Sequence, residues 1–174
     1  MIIEFTIDGN PFGKQRPYFT SFRGGSRGIK RKETILHENI ARETWHQVYK
    51  GKKEFEGDIS ICIEAFYQIP QSWPKWKQQA AEFDIIRPNR KGPLKADVDN
   101  VCKWIMDSLN PNKIGHKTLE GTGVYRDDGQ VVNLQIVSHY SHQPRTKVRI
   151  DARPKLDTNE IKKKVKERLK NGSI

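Results

Sequence analysis

Asp97-Val98-Asp99-Asn100, followed by Lys103, is the densest chemistry-bearing spacing in the chain. Val101, Trp104, Ile105, Ser108 and Leu109 fall at i, i+3, i+4, i+7 and i+8, which predicts a helix beginning near Asn100 with that stripe buried. Its other face carries Asp99, Lys103 and Asp107 at successive i+4 steps. Asp97 and Asp99, two apart in extended chain just before the helix, point to one side, so two carboxylates converge beside a lysine. Tyr125-Arg126-Asp127-Asp128-Gly129-Gln130 adds a second acidic pair, with Asp128-Gly129 a good turn dipeptide ahead of a strand. Carboxylates from two segments are what a hard Mg²⁺ ion needs, because it takes oxygen ligands and keeps positions for water and a substrate phosphate. Some of these residues also have ordinary explanations, Asp99 as a helix N-cap and Lys103 with Asp107 as a surface pair. Asp97 and the second acidic pair are not accounted for in that way.

These acids sit in the least basic part of a strongly basic chain. Of 174 residues, 32 are Lys or Arg and 21 Asp or Glu, a net charge of +11. Residues 13 to 53 hold eleven bases against three acids and residues 145 to 174 eleven against four, whereas 54 to 144 hold ten against twelve. Basic flanks around an acidic centre point to a polyanion partner, nucleic acid being the commonest. No apolar run approaches the roughly 18 residues that span a bilayer, and the opening Met1-Ile2-Ile3-Glu4-Phe5 lacks the layout of a signal peptide. The expectation is a cytoplasmic protein with no membrane contact. Cys62 and Cys102 form no Cys-x-x-Cys pair and read as two buried thiols.

The elements that must position the acids can be read coarsely. Ile3, Phe5 and Ile7 alternate in a first strand ended by Gly9-Asn10-Pro11, and 58 to 69 is the clearest strand, with Ile59, Ile61, Ile63 and Ala65 on one face. Residues 31 to 50 read as a helix with Ile35, Leu36, Ile40, Ala41, Thr44 and Val48 as its apolar side. Gly13 to Gly28 reads as a mobile basic and aromatic loop suited to phosphate contact and base stacking, with a core strand as the alternative for Tyr18 and Phe19. A short helix follows Ser72, the candidate N-cap, with Trp73 and Trp76 packed on the core or a partner. Two further strands at 131 to 139 and 146 to 152 and a basic helix at 158 to 170 complete the chain. This order implies an α+β single domain, a sheet of about four strands against helices. The expected division is a domain over 1–154 and a basic C-terminal helix or tail over 155–174.

Asp97-Val98-Asp99-Asn100, Lys103, Asp107-Ser108-Leu109-Asn110 and Asp127-Asp128-Gly129-Gln130-Val131-Val132 resemble, in that order, the RusA family of Holliday junction resolvases. Ile7-Asp8-Gly9-Asn10-Pro11 with Lys14-Gln15-Arg16-Pro17 resembles that family's first strand and basic loop. The resemblance covers most of residues 3 to 140. It implies Asp97, Asp99 and Asp128 as metal ligands, Lys103 as the catalytic lysine, Mg²⁺ as cofactor, and a homodimer acting on four-way DNA junctions in recombination and repair. Lys14, Arg16, Arg23, Arg27, Lys30 and Arg31 are the expected DNA contacts. The segment Trp73 to Glu82 and the tail Lys155 to Lys170 have no counterpart in the resemblance.

Competing motifs are weaker. Glu160-Ile161-Lys162 has a nuclease-like Glu-x-Lys but lies in a charged helix, and Gly9 to Lys14 is one spacer short of a P-loop, so no nucleotide cofactor is expected. His139 and His142 lack further soft ligands nearby and read as surface histidines beside a strand end. Two other functions stay open: a non-catalytic basic DNA-binding protein, and a metal-dependent nuclease for other branched DNA or RNA.

Overall fold

The computed structural model describes residues 1–22, 24–49, 53–88, 97–114, 117–119 and 122–170. Alternating apolar residues make the strands of its main sheet. In β1 (Ile2–Asp8) Ile3, Phe5 and Ile7 are buried; in β4 (Ile59–Gln68) every odd position from Ile59 to Tyr67 is buried; in β8 (Arg145–Ala152) every even position is. β7 (Val131–Ser141) completes a mixed four-stranded sheet in the order β1-β8-β4-β7. β8 runs antiparallel to both neighbours, and β4 and β7 are parallel, with Ile63 opposite Ile136 and Tyr67 opposite Tyr140. The fold is α+β, with helices α1 (Lys32–Val48) and α3 (Val98–Leu109) packed together and against the buried face of the sheet.

The helix expected over 31 to 50 is α1, but its buried side is different. Thr34, Glu38, Ala41 and Trp45 face inward, while Ile35, Leu36, Ile40 and Val48 are 45%, 58%, 38% and 53% exposed. Bulk and pairing override hydropathy here. The Trp45 ring fills the interior and donates from Nε1 to the Ser108 carbonyl at 3.0 Å, and Glu38 is tolerated inside because Lys30 meets both of its oxygens at 3.0 and 2.9 Å.

The segment read as a mobile loop is instead a hairpin, β2 (Tyr18–Phe22) with β3 (Gly25–Ile29). Tyr18 and Phe19 do not enter the core: they are 49% and 70% exposed. Arg23 lies outside the described residues. The short helix α2 (Lys75–Glu82) starts with Pro74, not Ser72, at the capping position. Trp73 packs edge-on against Tyr140 at 5.2 Å between ring centroids, whereas Trp76 stands in solvent. The stretch after α3 forms a small ladder, β5 (Lys113–Ile114) with β6 (Lys117–Thr118). A basic helix, α4 (Thr158–Lys170), ends the described chain and buries none of its residues.

Cys102 is buried, Cys62 half-buried, and both are free. No described helix is long and apolar enough to cross a membrane.

Candidate active site

α3 owes its position to its apolar stripe: Val101, Trp104, Ile105, Ser108 and Leu109 are all at most 1% exposed. It begins two residues earlier than the spacing suggests. The Asp97 carbonyl accepts from Asn100 and Val101 at 2.9 and 3.1 Å, so Asp97 is the capping residue by its backbone and Asp99 lies inside the first turn. Neither carboxylate acts as the side-chain cap, and Asp99 is not in extended chain beside Asp97. Both sit at the helix N-terminus, where exposed peptide N–H groups favour negative charge.

One turn on, Lys103 places Nζ 3.2 Å from Asp99 Oδ2, with both side chains about 60% exposed. That hydrogen bond, ahead of the lysine's charge, holds the Asp99 carboxyl below its ordinary value. The alternative pairing of Lys103 with Asp107 does not occur. Asp107 is ion-paired to Lys14, whose backbone N–H also donates to the Asn100 carbonyl at 3.1 Å. Lys14, expected on DNA, thus fastens its loop to α3.

The second acidic segment is built on Tyr125. Its ring is fully buried, its hydroxyl donates to the Met106 carbonyl at 3.1 Å, and Val124 N–H donates to the Leu109 carbonyl at 2.8 Å. Asp127 then caps a single 3₁₀ turn, Asp128–Gln130, accepting from Gly129 N–H at 2.8 Å. Gln130 closes the box and does more. Its Oε1 accepts from the N–H groups of Arg126 and Asp127 at 2.9 and 3.1 Å, and its Nε2 donates to the carbonyls of Phe55 and Gly57, each at 2.9 Å. Gly57 must be glycine, since a Cβ there would lie 2.1 Å from the Arg153 carbonyl oxygen. Asp128 is left exposed at the tip of this clamped turn. The Asp127-x-x-Gln130 spacing is a capping-box signature, and it is the signal by which Gln130 could have been found from sequence.

The two acidic groups occupy opposite ends of α3. Gln68 N–H at the end of β4 donates to Asn10 Oδ1 at 2.9 Å and Lys14 N–H donates to the Asn100 carbonyl at 3.1 Å, so Asp97 lies at the Tyr67 end of β4, where burial, opposed by a Ser138 hydrogen bond and then reinforced by the Asp97 charge, pushes the Tyr67 hydroxyl up to about 12. Burial, then the charges of Asp128, Asp107 and Asp127, raises Tyr125, so Asp128 lies at the other end. With 1.5 Å of rise per residue, Asp97 and Asp107 are separated by about 15 Å along the helix. Among the described residues no three His, Cys, Asp or Glu side chains come together as a metal-holding group. Among the described residues, therefore, Asp99 and Lys103 are in contact, Asp97 stands at the same end of α3, and Asp128 lies toward the other end.

Of the expected DNA contacts, Arg16, Arg27 and Arg31 are exposed on and beside the β2–β3 hairpin, with Arg31 Nε donating to the Arg16 carbonyl at 3.2 Å. Lys30 is taken up by Glu38. A basic row on β8, Arg145, Lys147 and Arg149, faces away from the core, and its period-two alternation with Thr146, Val148 and Ile150 was legible though not singled out. Glu160 of the Glu-x-Lys motif serves as a capping-box partner, its Oε2 accepting from Asp157 N–H at 2.8 Å. His139 Nδ1 lies 3.0 Å from Asp84 Oδ1, and His142 is exposed.

A model of the family Endodeoxyribonuclease RusA matches residues 8–151, from the end of β1 through β8 and so across both acidic segments. The chain belongs to the RusA endodeoxyribonuclease family. Membership bears out the resemblance read from the motifs and implies an enzyme that cuts DNA internally. The matched span includes α2 as well as the hairpin; α4 lies beyond it. The chain is also similar to the uncharacterized protein YqaN of Bacillus subtilis (strain 168), 28% identical in an alignment 158 positions long that covers 85% of this chain and 94% of YqaN.

Proposed function

We propose that this RusA-family chain is a structure-selective, divalent-metal-dependent endonuclease that resolves four-way DNA junctions as a homodimer, by paired nicks in opposing strands. The observation that carries the reading is the exposed Asp99–Lys103 pair beside the half-buried Asp97 at the N-terminus of α3, within a family of DNA-cutting enzymes.

The donor chemistry suits Mg²⁺, since Asp97, Asp99 and Asp128 offer only hard carboxylate oxygens. A bound ion would activate water and offset charge on the leaving oxygen. The roles of the chain's own groups follow from their placement. Asp97 and Asp99 form one half of the site, and the Lys103 ammonium beside them neutralises charge on the reacting phosphate. Arg16, Arg27 and Arg31 hold the DNA backbone.

The remoteness of Asp128 supports a dimeric site. β7 is an edge strand, and its first seven residues, Val131 to Val137, carry no charge in a chain of net +11. Val132, Leu134 and Val137 on it are 63%, 40% and 36% exposed. Such an edge is a template for a second chain. A two-fold dimer through it runs the two β7 strands antiparallel, which turns the Asp128 end of each chain toward the Asp97 end of the other.

The test is incubation with a labelled synthetic four-way junction, with and without Mg²⁺. Asp97→Asn, Asp99→Asn and Asp128→Asn should each abolish incision while leaving junction binding intact. Mixing inactive Asp99→Asn with inactive Asp128→Asn should restore part of the activity, because a mixed dimer regains one intact site. Near-normal cutting by all three variants removes the assignment; inactivity of the mixture removes the shared site.

A further inference from the structure

The segment without a counterpart in the motif resemblance, around α2, holds large apolar side chains in water by design. Trp76, Phe83 and Ile85 are 68%, 71% and 73% exposed. Trp76 and Phe83 are seven residues apart and share a helix face. α2 closes with two reversed hydrogen bonds, Asp84 N–H to the Ala81 carbonyl at 3.1 Å and Ile85 N–H to the Ala80 carbonyl at 2.9 Å. This closure normally takes glycine at its left-handed position, but here Asp84 occupies it with φ of 58°. Two partners hold it: His139 Nδ1 on β7 at 3.0 Å, and Arg87. The N-terminal end of the segment is fixed by Trp73 on Tyr140 and by Lys77 Nζ, 4.0 Å over the Trp73 ring. The platform is rigidly mounted, and none of the three exposed side chains contributes to the core that mounts it.

Its location is informative. Tyr140 pairs with Tyr67 at the end of β4 that Asn10 and Lys14 tie to the first turn of α3, by Gln68 N–H to Asn10 Oδ1 at 2.9 Å and Lys14 N–H to the Asn100 carbonyl at 3.1 Å, so α2 stands at the sheet end that bears the Asp97–Asp99 pair. Cations flank it: Lys75, Lys77 and Arg87 on the segment itself, and Arg145, whose guanidinium lies 4.0 Å over the Phe66 ring next to His139. Rings interleaved with cations suit a nucleic acid strand, since phosphates pair with the cations while any base can stack on a ring. Apolar side chains set beside DNA can also enter base steps and hold them open.

We infer that Trp76, Phe83 and Ile85 form a stacking platform for unpaired or unstacked bases of the DNA strand led to the Asp97–Asp99 end. The inference rests on the DNA-cleaving reading above and adds a base-contacting site to it. The platform explains how a branch point is held open beside the site, a task that backbone contacts alone do not perform.

Full-length protein is titrated, without divalent metal, against a single-stranded oligothymidine and against a four-way junction carrying 2-aminopurine at the branch. Wild type should show quenched tryptophan emission with the oligomer and a rise in 2-aminopurine emission with the junction. Trp76→Ala with Phe83→Ala should weaken oligomer binding at least about tenfold and abolish the 2-aminopurine rise. Trp76→Phe should keep the binding and lose most of the quenching. Circular dichroism checks that the double variant folds; because both side chains are exposed, it should melt as wild type does. Wild-type oligomer affinity and 2-aminopurine signal in the folded double variant overturn the inference, as does conversion of a dimer to a monomer with DNA affinity per chain unchanged. Failure of the nuclease reading is a separate result, seen when wild type neither prefers nor cuts the junction while the oligomer titration still reports on stacking.

Discussion

Removing the Gln130 side chain is the sharpest probe of how the second acidic segment is built. Gln130→Ala deletes four hydrogen bonds at once, two accepted from Arg126 and Asp127 and two donated to Phe55 and Gly57. The first two are exposed, so water replaces the side chain and each contributes toward the low end of the net range, about 0.5 kcal/mol. The other two are half-buried and contribute about 1 kcal/mol each. The expected loss is about 3 kcal/mol, or roughly 6–12 °C in melting temperature for a chain of this size. Gln130→Glu sharpens the test. A carboxylate still accepts from both N–H groups but cannot donate, and it sets an anionic oxygen against two carbonyls. At neutral pH this variant should be no more stable than Gln130→Ala. Because only the protonated acid can donate, its carboxyl is raised above the ordinary value near 4.3, and the difference from wild type should shrink as pH falls through that raised value. Urea melts of the three proteins at pH 7.5 and at pH 4.5 measure this directly. A loss under 1 kcal/mol for Gln130→Ala, or a Glu variant equal to wild type at pH 7.5, would refute the clamp. Incision by Gln130→Ala, measured well below its melting temperature, should fall as well, because the turn carrying Asp128 is no longer held.

Three further outcomes follow from the geometry. Lys103→Ala should remove most junction incision and let the Asp99 carboxyl return toward its ordinary value, with melting temperature essentially unmoved because an exposed i,i+4 pair contributes little; full activity would take Lys103 out of the mechanism. Trp45→Phe should cost about 1–3 kcal/mol more than Trp104→Phe in urea melts, since the first orphans the Ser108 carbonyl while the buried Trp104 Nε1 has no partner among the described residues; equal losses would contradict this. His37, stacked 4.0 Å from Phe12, and His46, stacked 3.9 Å from Trp45, are both held below 6.5, by burial first and for His46 by Arg42 also. Their contribution is full above pH 6.5 and declines as pH falls through it toward the lowered values, so stability should drop between pH 7 and 5, less so in His37→Phe; a flat profile in wild type would be the contrary result.

What the chain discloses by itself depends on whether periodicity or long-range partnership decides. β4 and the buried stripe of α3 are plain in the sequence, because each is set by a repeat, of two or of 3.6, that burial then obeys. α1 is not. Its inward face includes Thr34 and Glu38, and only the arrival of Lys30 makes Glu38 acceptable there, a fact that hydropathy does not hold. The β2–β3 hairpin escaped notice because Gly25, Ser26, Arg27 and Gly28 are exposed on both faces, leaving no alternation to detect. For the site, the proximity of Asp99 and Lys103 is local to a helix turn and could be read, whereas the placement of Asp128 depends on where Val124 and Tyr125 dock, on the carbonyls of Leu109 and Met106. That docking is tertiary, and it sets Asp128 toward the Leu109 end of α3, a placement no local repeat encodes.

The position of β8 between β1 and β4 has a consequence for synthesis. Gln68, the last residue of β4, leaves the ribosome roughly 77 residues before Arg145, the first of β8. At about 5–20 residues per second this is an interval of about 4–15 s. Within it the acidic segments and β7 emerge in turn while the strand that joins β1 to β4 is still missing, so Ile59, Ile61 and Ile63 line a strand that keeps at least one vacant edge until β8 is made. The nascent chain passes through a stage in which its apolar strand is exposed before the sheet can close. The fold is completed only by the insertion of a late strand into the middle of the sheet, so whatever needs the finished sheet waits for β8.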